Sequence, residues 1–293
     1  MQDMSFVHFE AVARAFTALD IARPLIRVPP DTPMSYGLPR GPVGYPHDWC
    51  WLVADDERVY GYVTEEIMDE EDAAACIGDL AEPFGLRHLV SGSMPLLDLV
   101  PRLAEEDSWT LFVLTEQGIT HVVTGEEYNS VPVRLCLFAL LSELEAEMIH
   151  ALVSRPDLLA QRLGYVPEQQ RNDLLRRADH DSTWMGLHNA DTTRLLRAVN
   201  WANLVNKERM LSGDPFSRNL FGFEDPQQAE EFLDLARRVR NKVAHGQHLD
   251  EASFELLTPQ GFAQFVENLR RAISLFAEER RADERYGRGT SNS

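Results

Sequence analysis

The residues best suited to chemistry in this 293-residue chain stand close together at Arg240-Asn241-Lys242-Val243-Ala244-His245-Gly246. They combine a permanent cation, an amide and an imidazole, the parts needed to break a phosphodiester in RNA without a metal. RNA carries its own nucleophile, the 2′-hydroxyl, so cleavage needs only deprotonation, charge stabilisation and alignment. An imidazole, with an unperturbed pKa of about 6.5, can take up and return a proton near neutrality. A guanidinium never loses its charge and offers a planar fork to a phosphorane-like transition state. His245 is therefore the candidate base or proton donor, and Arg240 the candidate electrostatic partner. Asn241 would hold the imidazole or a phosphate oxygen. The spacing from Arg to His is weak alone, since it is expected about once by chance in such a chain. An Asn after the Arg, a Gly after the His and a helix end at the same place make it far more specific.

That helix is readable from its residues. From Gln227 onward, Phe232, Leu235, Val239 and Val243 recur three to four positions apart and predict one buried stripe. Asp225-Pro226 supplies a cap and a first-turn proline, and Gly246 a left-handed stop. At about 100° per residue, Asn241 and His245 share a face one turn apart, while Arg240 diverges from His245 by about 140°. A structural alternative stands beside the chemical one: Arg and His near a helix C-terminus also stabilise its dipole and bond its free carbonyls. The pattern resembles the R-N-x-x-x-H signature of the HEPN superfamily (higher eukaryotes and prokaryotes nucleotide-binding). The resemblance implies a metal-independent endoribonuclease that leaves 2′,3′-cyclic phosphate and 5′-hydroxyl ends. It makes Arg240, Asn241 and His245 catalytic, and it implies a site built across a homodimer.

The second half predicts helices that would position this motif. They run over 131–154, 167–178, 191–211, the motif helix and 258–281, where Phe262, Phe265, Leu269, Ile273 and Phe276 line one face. A bundle of this kind over about residues 131–281 matches the HEPN architecture. Residues 285–293 are polar and rich in Gly and Ser, which predicts a disordered tail.

The first half alternates element types. Residues 6–20 predict an amphipathic helix. Residues 87–90, 109–114 and 119–124 predict strands, with a helix over 95–105 and a long helix from Val131. A weaker copy precedes it, with strands over 23–28, 49–54 and 59–64, a Pro- and Gly-rich loop over 29–46, and a helix over 71–80. Thr64-Glu65-Glu66-Ile67 and Thr124-Gly125-Glu126-Glu127 are the repeated element. This β-α-β-β-α order looks like a tandem pair of cystathionine-β-synthase (CBS) modules. The resemblance implies an adenine nucleotide (AMP, ADP or ATP) as regulatory ligand, with Thr124, Glu127 and Thr64 as candidate contacts. The family often has an Asp three residues after the Thr; here Glu127 and Ile67 stand there, so at most one ribose site is expected. The fold class expected is α+β: a CBS pair over 1–130, its second module reaching to about 150, then a HEPN-like helical domain over 131–284 and a tail over 285–293.

Composition sets the setting. The net charge is −19, yet 26 acidic and 8 basic side chains fall in residues 1–150 against 21 and 20 in residues 151–293. The acidic half should repel nucleic acid, while the other half can still present a local positive groove. Arg237, Arg238, Arg240 and Lys242 crowd the motif helix, and Arg270 and Arg271 follow on the next. Cys50, Cys76 and Cys136 are far apart and read as reduced thiols. His180, Asp181 and His188 lack metal-ligand spacing, so no metal site is expected. No signal peptide is expected, since no N-terminal segment joins a basic start to an apolar stretch, and no membrane span, because Arg134, Glu143, Glu145 and Glu147 interrupt the longest apolar run. These features point to a cytoplasmic, dimeric ribonuclease under nucleotide control, acting as a stress or anti-phage effector by family association. The alternative is a non-catalytic nucleotide sensor whose helical domain binds a partner protein or RNA.

Overall fold

Strands and helices segregate along the chain into a mixed α+β fold. The structure, a computed structural model, describes residues 11, 14–33, 50–64, 67, 76–105, 110–181, 190–220, 222–223, 225–247, 249 and 258–287. Two compact units divide it: Ala13–Arg134 with Thr258–Ala263, and Met1–Val12 with Leu135–Leu257 and Gln264–Ser293.

The first of these units holds two sheets. Helix α1 is short (Ala18–Ile21), because Thr17 caps it: the Thr17 N–H and hydroxyl both donate to the Asp20 carboxylate, at 2.7 and 2.9 Å. Residues 14–17 are not helical, which corrects the continuous helix expected over 6–20. The expected strand over 23–28 divides into β1 (Arg23–Pro24) and β2 (Ile26–Val28), which join different sheets. In one sheet, β2 lies parallel to β3 (Cys50–Ala54), which is antiparallel to β4 (Val59–Thr64). Central β3 is buried throughout, hence its unbroken apolar run. The other sheet has the order β1-β7-β6-β5, with β5 at Leu89–Ser91, β6 at Leu111–Thr115 and β7 at Gly118–Val123. Helix α2 (Leu96–Ala104) makes the crossover that the parallel pair β5 and β6 needs. Residues 71–75 of the helix expected over 71–80 lie outside the described residues, and its end is a 3₁₀ turn at Ile77–Asp79. Most of the Pro- and Gly-rich loop, 34–46, also lies outside them.

Cys50 and Tyr62 from one sheet meet Phe112 and Val122 from the other in a single core, with the Tyr62 and Phe112 rings 4.7 Å apart. Gly61 lets the chain approach: a Cβ there would collide with the Glu82 carbonyl, just where Tyr62 and Glu82 exchange backbone hydrogen bonds of 2.9 Å.

The remaining helices are α3 (Val131–Val153), α4 (Leu159–Gly164), α5 (Glu168–His180), α6 (Ala190–Asn200), α7 (Leu204–Gly213), α8 (Pro215–Leu220), α9 (Pro226–Ala244) and α10 (Pro259–Gly287). Along α3, Leu137, Leu140, Leu141, Leu144, Met148 and Leu152 are buried on more than one side, as in an interior helix. The single helix expected over 191–211 is broken. Asn203 accepts from the Asn206 N–H at 3.0 Å and so caps a new helix, α7. Residues 285–287, expected in a disordered tail, continue α10. Among the described residues, no helix is long and apolar enough to cross a membrane.

One ion pair fixes the turn after α3. Arg162 on α4 is fully buried. Its Nε donates to Asp214 at 2.9 Å and its Nη1 to the Ala151 and Leu152 carbonyls at 3.0 Å each. It thus satisfies carbonyls in the last turn of α3 while neutralising the carboxylate between α7 and α8. We expect Arg162→Ala to lower unfolding stability in urea by about 3–5 kcal/mol, because Asp214 would stay buried without a counter-charge. Arg162→Lys should recover little, since an ammonium lacks the fork that reaches three acceptors. Arg162→Met with Asp214→Leu should cost less than Arg162→Ala alone.

Candidate active site at the end of helix α9

Helix α9 begins and ends where its sequence dictates. Asp225 accepts from the Gln227 N–H at 2.9 Å, Pro226 opens the first turn, and Ala229, Phe232, Leu233, Ala236 and Val239 are buried. The other end closes on main chain alone. The Gly246 N–H donates to the Val243 carbonyl at 3.1 Å and the Gln247 N–H to the Lys242 carbonyl at 2.9 Å, with Gly246 left-handed at φ +67°. This is a Schellman stop, in which the carbonyls are met by backbone N–H groups.

The consequence falls on the motif. His245 is the C-terminal cap residue, and its backbone N–H donates to the Asn241 carbonyl at 3.1 Å. Asn241 and His245 are exposed and Arg240 is half-buried. Among the described residues, the side chains of all three make no hydrogen bond or ion pair. The Asn241 amide therefore does not orient the imidazole as expected; the two share a face without a side-chain bond. Neither does the His245 ring cap the helix, so the structural alternative finds no contact to support it.

Other cations on α9 are differently placed. Arg237 and Arg238 both pair with Asp234, the latter at 3.0 Å, and Arg237 also lies 3.4 Å from Glu208. Much of the positive charge expected to form a groove is thus matched locally. Arg240 instead lines a narrow cleft with Leu141, Leu144 and Glu145 of α3, Glu208 of α7 and Arg237. The cleft holds about 10 Å³, the space of one water molecule, which is too small for a nucleotide. A nucleotide would have to lie outside this cleft, at the end of α9 where His245 stands.

Glu208 was not among the expected site residues. Its carboxyl is pushed up to about 8 by burial, against the opposing pull of Arg237. The signal was present: Leu204, Glu208 and Leu211 follow one another at four and three residues, putting an acid in an apolar register. It becomes legible only after the phase is reset at Asn203.

The expected nucleotide contacts have other partners. Thr124 and Glu127 are buried. Glu127 accepts from the Thr124 N–H at 2.6 Å and hydroxyl at 2.9 Å, and Arg23 reaches Glu127 at 2.8 Å and the Thr124 hydroxyl at 2.9 Å. The spacing read as a ribose site forms a capping box that opens the 3₁₀ turn Gly125–Asn129 and locks β1 to β7. Thr64 is half-buried at the end of β4, and its hydroxyl accepts from the Ile67 N–H at 3.4 Å. Elsewhere, His180 bonds the Arg176 carbonyl at 2.8 Å and Asp181 accepts from the Trp201 indole at 2.9 Å, while His188 lies outside the described residues.

Comparison of the chain with protein-family models, curated proteins and solved structures returns no match. What the site can do follows from its own side chains.

At the Arg23 cluster, Glu127→Ala should lower stability by about 2–3 kcal/mol in urea unfolding, since a largely buried guanidinium loses its closest carboxylate and the capping box loses its acceptor. The loss should be the same with and without AMP.

Proposed function

We propose that the chain is a metal-independent endoribonuclease of the HEPN type, with Arg240, Asn241 and His245 as its catalytic residues. The observation that carries this reading is that three side chains able to do the chemistry sit at one helix end with no side-chain hydrogen bond or ion pair among the described residues, the cap being made by backbone. His245 takes the proton of the 2′-hydroxyl as its oxygen attacks phosphorus; the P–O5′ bond breaks and the departing 5′-oxygen takes a proton from the imidazolium so formed or from water. Arg240 stabilises the charge that builds on the non-bridging oxygens, and Asn241 aligns a phosphate oxygen or the imidazole. The products are a 2′,3′-cyclic phosphate and a 5′-hydroxyl.

Geometry also supports a composite site. On an ideal helix Arg240 and His245 diverge by about 140°, which favours drawing the two groups at one phosphate from different chains. A homodimer can supply Arg240 from one chain and His245 from the other. The paired Thr124 and Glu127 give no support to nucleotide control, and that control is not part of this reading.

Arg240→Ala and His245→Ala should each reduce cleavage of RNA in EDTA by about 100-fold or more while leaving thermal unfolding unchanged. Wild-type rates in both variants would contradict the assignment. Mixing the two inactive variants should restore part of the activity by forming heterodimers with one intact site; no recovery would show that each chain carries its own.

A further inference from the structure

We propose that Glu208 is a positioning residue for Arg240, deciding whether that guanidinium reaches out over the end of α9 or folds into the cleft between α3, α7 and α9. Its consequence for RNA cleavage rests on the ribonuclease reading above. Glu208 and Arg240 line the same cleft from neighbouring helices. The Glu208 side chain is 12% exposed, with Oε2 3.4 Å from the Arg237 Nε. Its Oε1 is buried and has no hydrogen-bond partner among the described residues, and Arg240 has none either. An acceptor and a strong donor therefore share one narrow space, both unmatched. A buried acceptor left this way is costly, and a guanidinium is the partner it would take.

Burial holds the Glu208 proton to about pH 8, well above the ordinary 4.5. The surrounding charges are largely committed. From α3, Glu145 is tied to Lys207 of α7 at 2.8 Å; on α7 itself, Arg209 donates to Gln170 at 3.1 Å. From α9, Asp234 pairs with Arg237 and Arg238. Helices α4 and α8 also touch α7, but Arg162 is held by Asp214 and neither it nor Arg218 lines the cleft. Arg237 already meets the other oxygen, so Arg240 is the cation lining the cleft that is left for Oε1 when Glu208 ionises.

At neutral pH the carboxyl is uncharged, its hold on Arg240 is weak, and the guanidinium is free to meet a phosphate. As pH rises through about 8 the proton leaves, the carboxylate draws Arg240 into the cleft, and the phosphate loses its partner. The folded chain holds this proton more tightly than the unfolded one. Its contribution to stability is therefore complete at acid pH and is lost progressively between about pH 4.5 and 8.

The test is an NMR titration of the full-length protein. It follows the Nε–Hε signal of Arg240, assigned by its loss in Arg240→Lys, from neutral to alkaline pH in wild type, Glu208→Gln and Glu208→Met. The expected result is a signal moving with a midpoint of about 8 in wild type and static in both variants. In parallel, wild-type RNA cleavage should fall about tenfold per pH unit above that midpoint. Glu208→Gln should keep the neutral rate within about twofold and lose the alkaline fall. A wild-type signal that does not titrate there, or one that titrates identically in a folded Glu208→Gln, overturns the proposal. If the signal behaves as expected but wild type cuts no RNA, the positioning role stands and the ribonuclease reading fails.

Discussion

The helical unit depends on a charge that cannot be solvated. Arg162 is buried and reaches outward in three directions, to the last carbonyls of α3 and to Asp214 between α7 and α8. Helix termini leave carbonyls without partners, and a buried carboxylate needs a counter-charge; one guanidinium answers both. The junction lies at the C-terminal end of α7, the helix that packs against α9. On that helix Glu208 lines the cleft beside Arg240.

Charges in this unit divide into two kinds. Arg162 with Asp214, Lys207 with Glu145, and Arg237 and Arg238 with Asp234 are matched, and they hold helices in register. Arg240 and His245 stand outside this scheme, as does one oxygen of Glu208. Among the described residues, a cation and an imidazole near one helix end, with a buried carboxyl of raised pKa on the helix packed beside it, form a cluster of the kind found at functional sites. The main-chain Schellman stop makes this arrangement available, because it removes the need for side chains to cap α9.

Local chemistry made some of this legible in the sequence. Asp225, Pro226 and Gly246 mark both ends of α9, and its apolar spacing fixes the buried face, so Asn241 and His245 could be placed outside it. Other features depended on tertiary contacts. The Asn203 cap lies within a run that keeps its apolar rhythm, so α6 and α7 read as one helix and Glu208 stayed hidden. Helix α4 is a turn and a half long, too short for periodicity to expose it or its buried Arg162. Thr124 and Glu127 show how one spacing can serve two ends: three residues apart suits a ribose contact and a capping box alike, and Arg23, a hundred residues away, makes it the latter.

The central claim is that this helix end lets RNA's own 2′-hydroxyl break the chain. Product ends test it most directly. After incubation with the protein in EDTA, an oligoribonucleotide should yield fragments bearing 2′,3′-cyclic phosphate and 5′-hydroxyl groups. The same oligonucleotide with a single 2′-deoxy sugar at the cleavage position should remain intact there. Cleavage that persists at the deoxy position, fragments carrying a 5′-phosphate, or RNA left whole under these conditions would contradict the account.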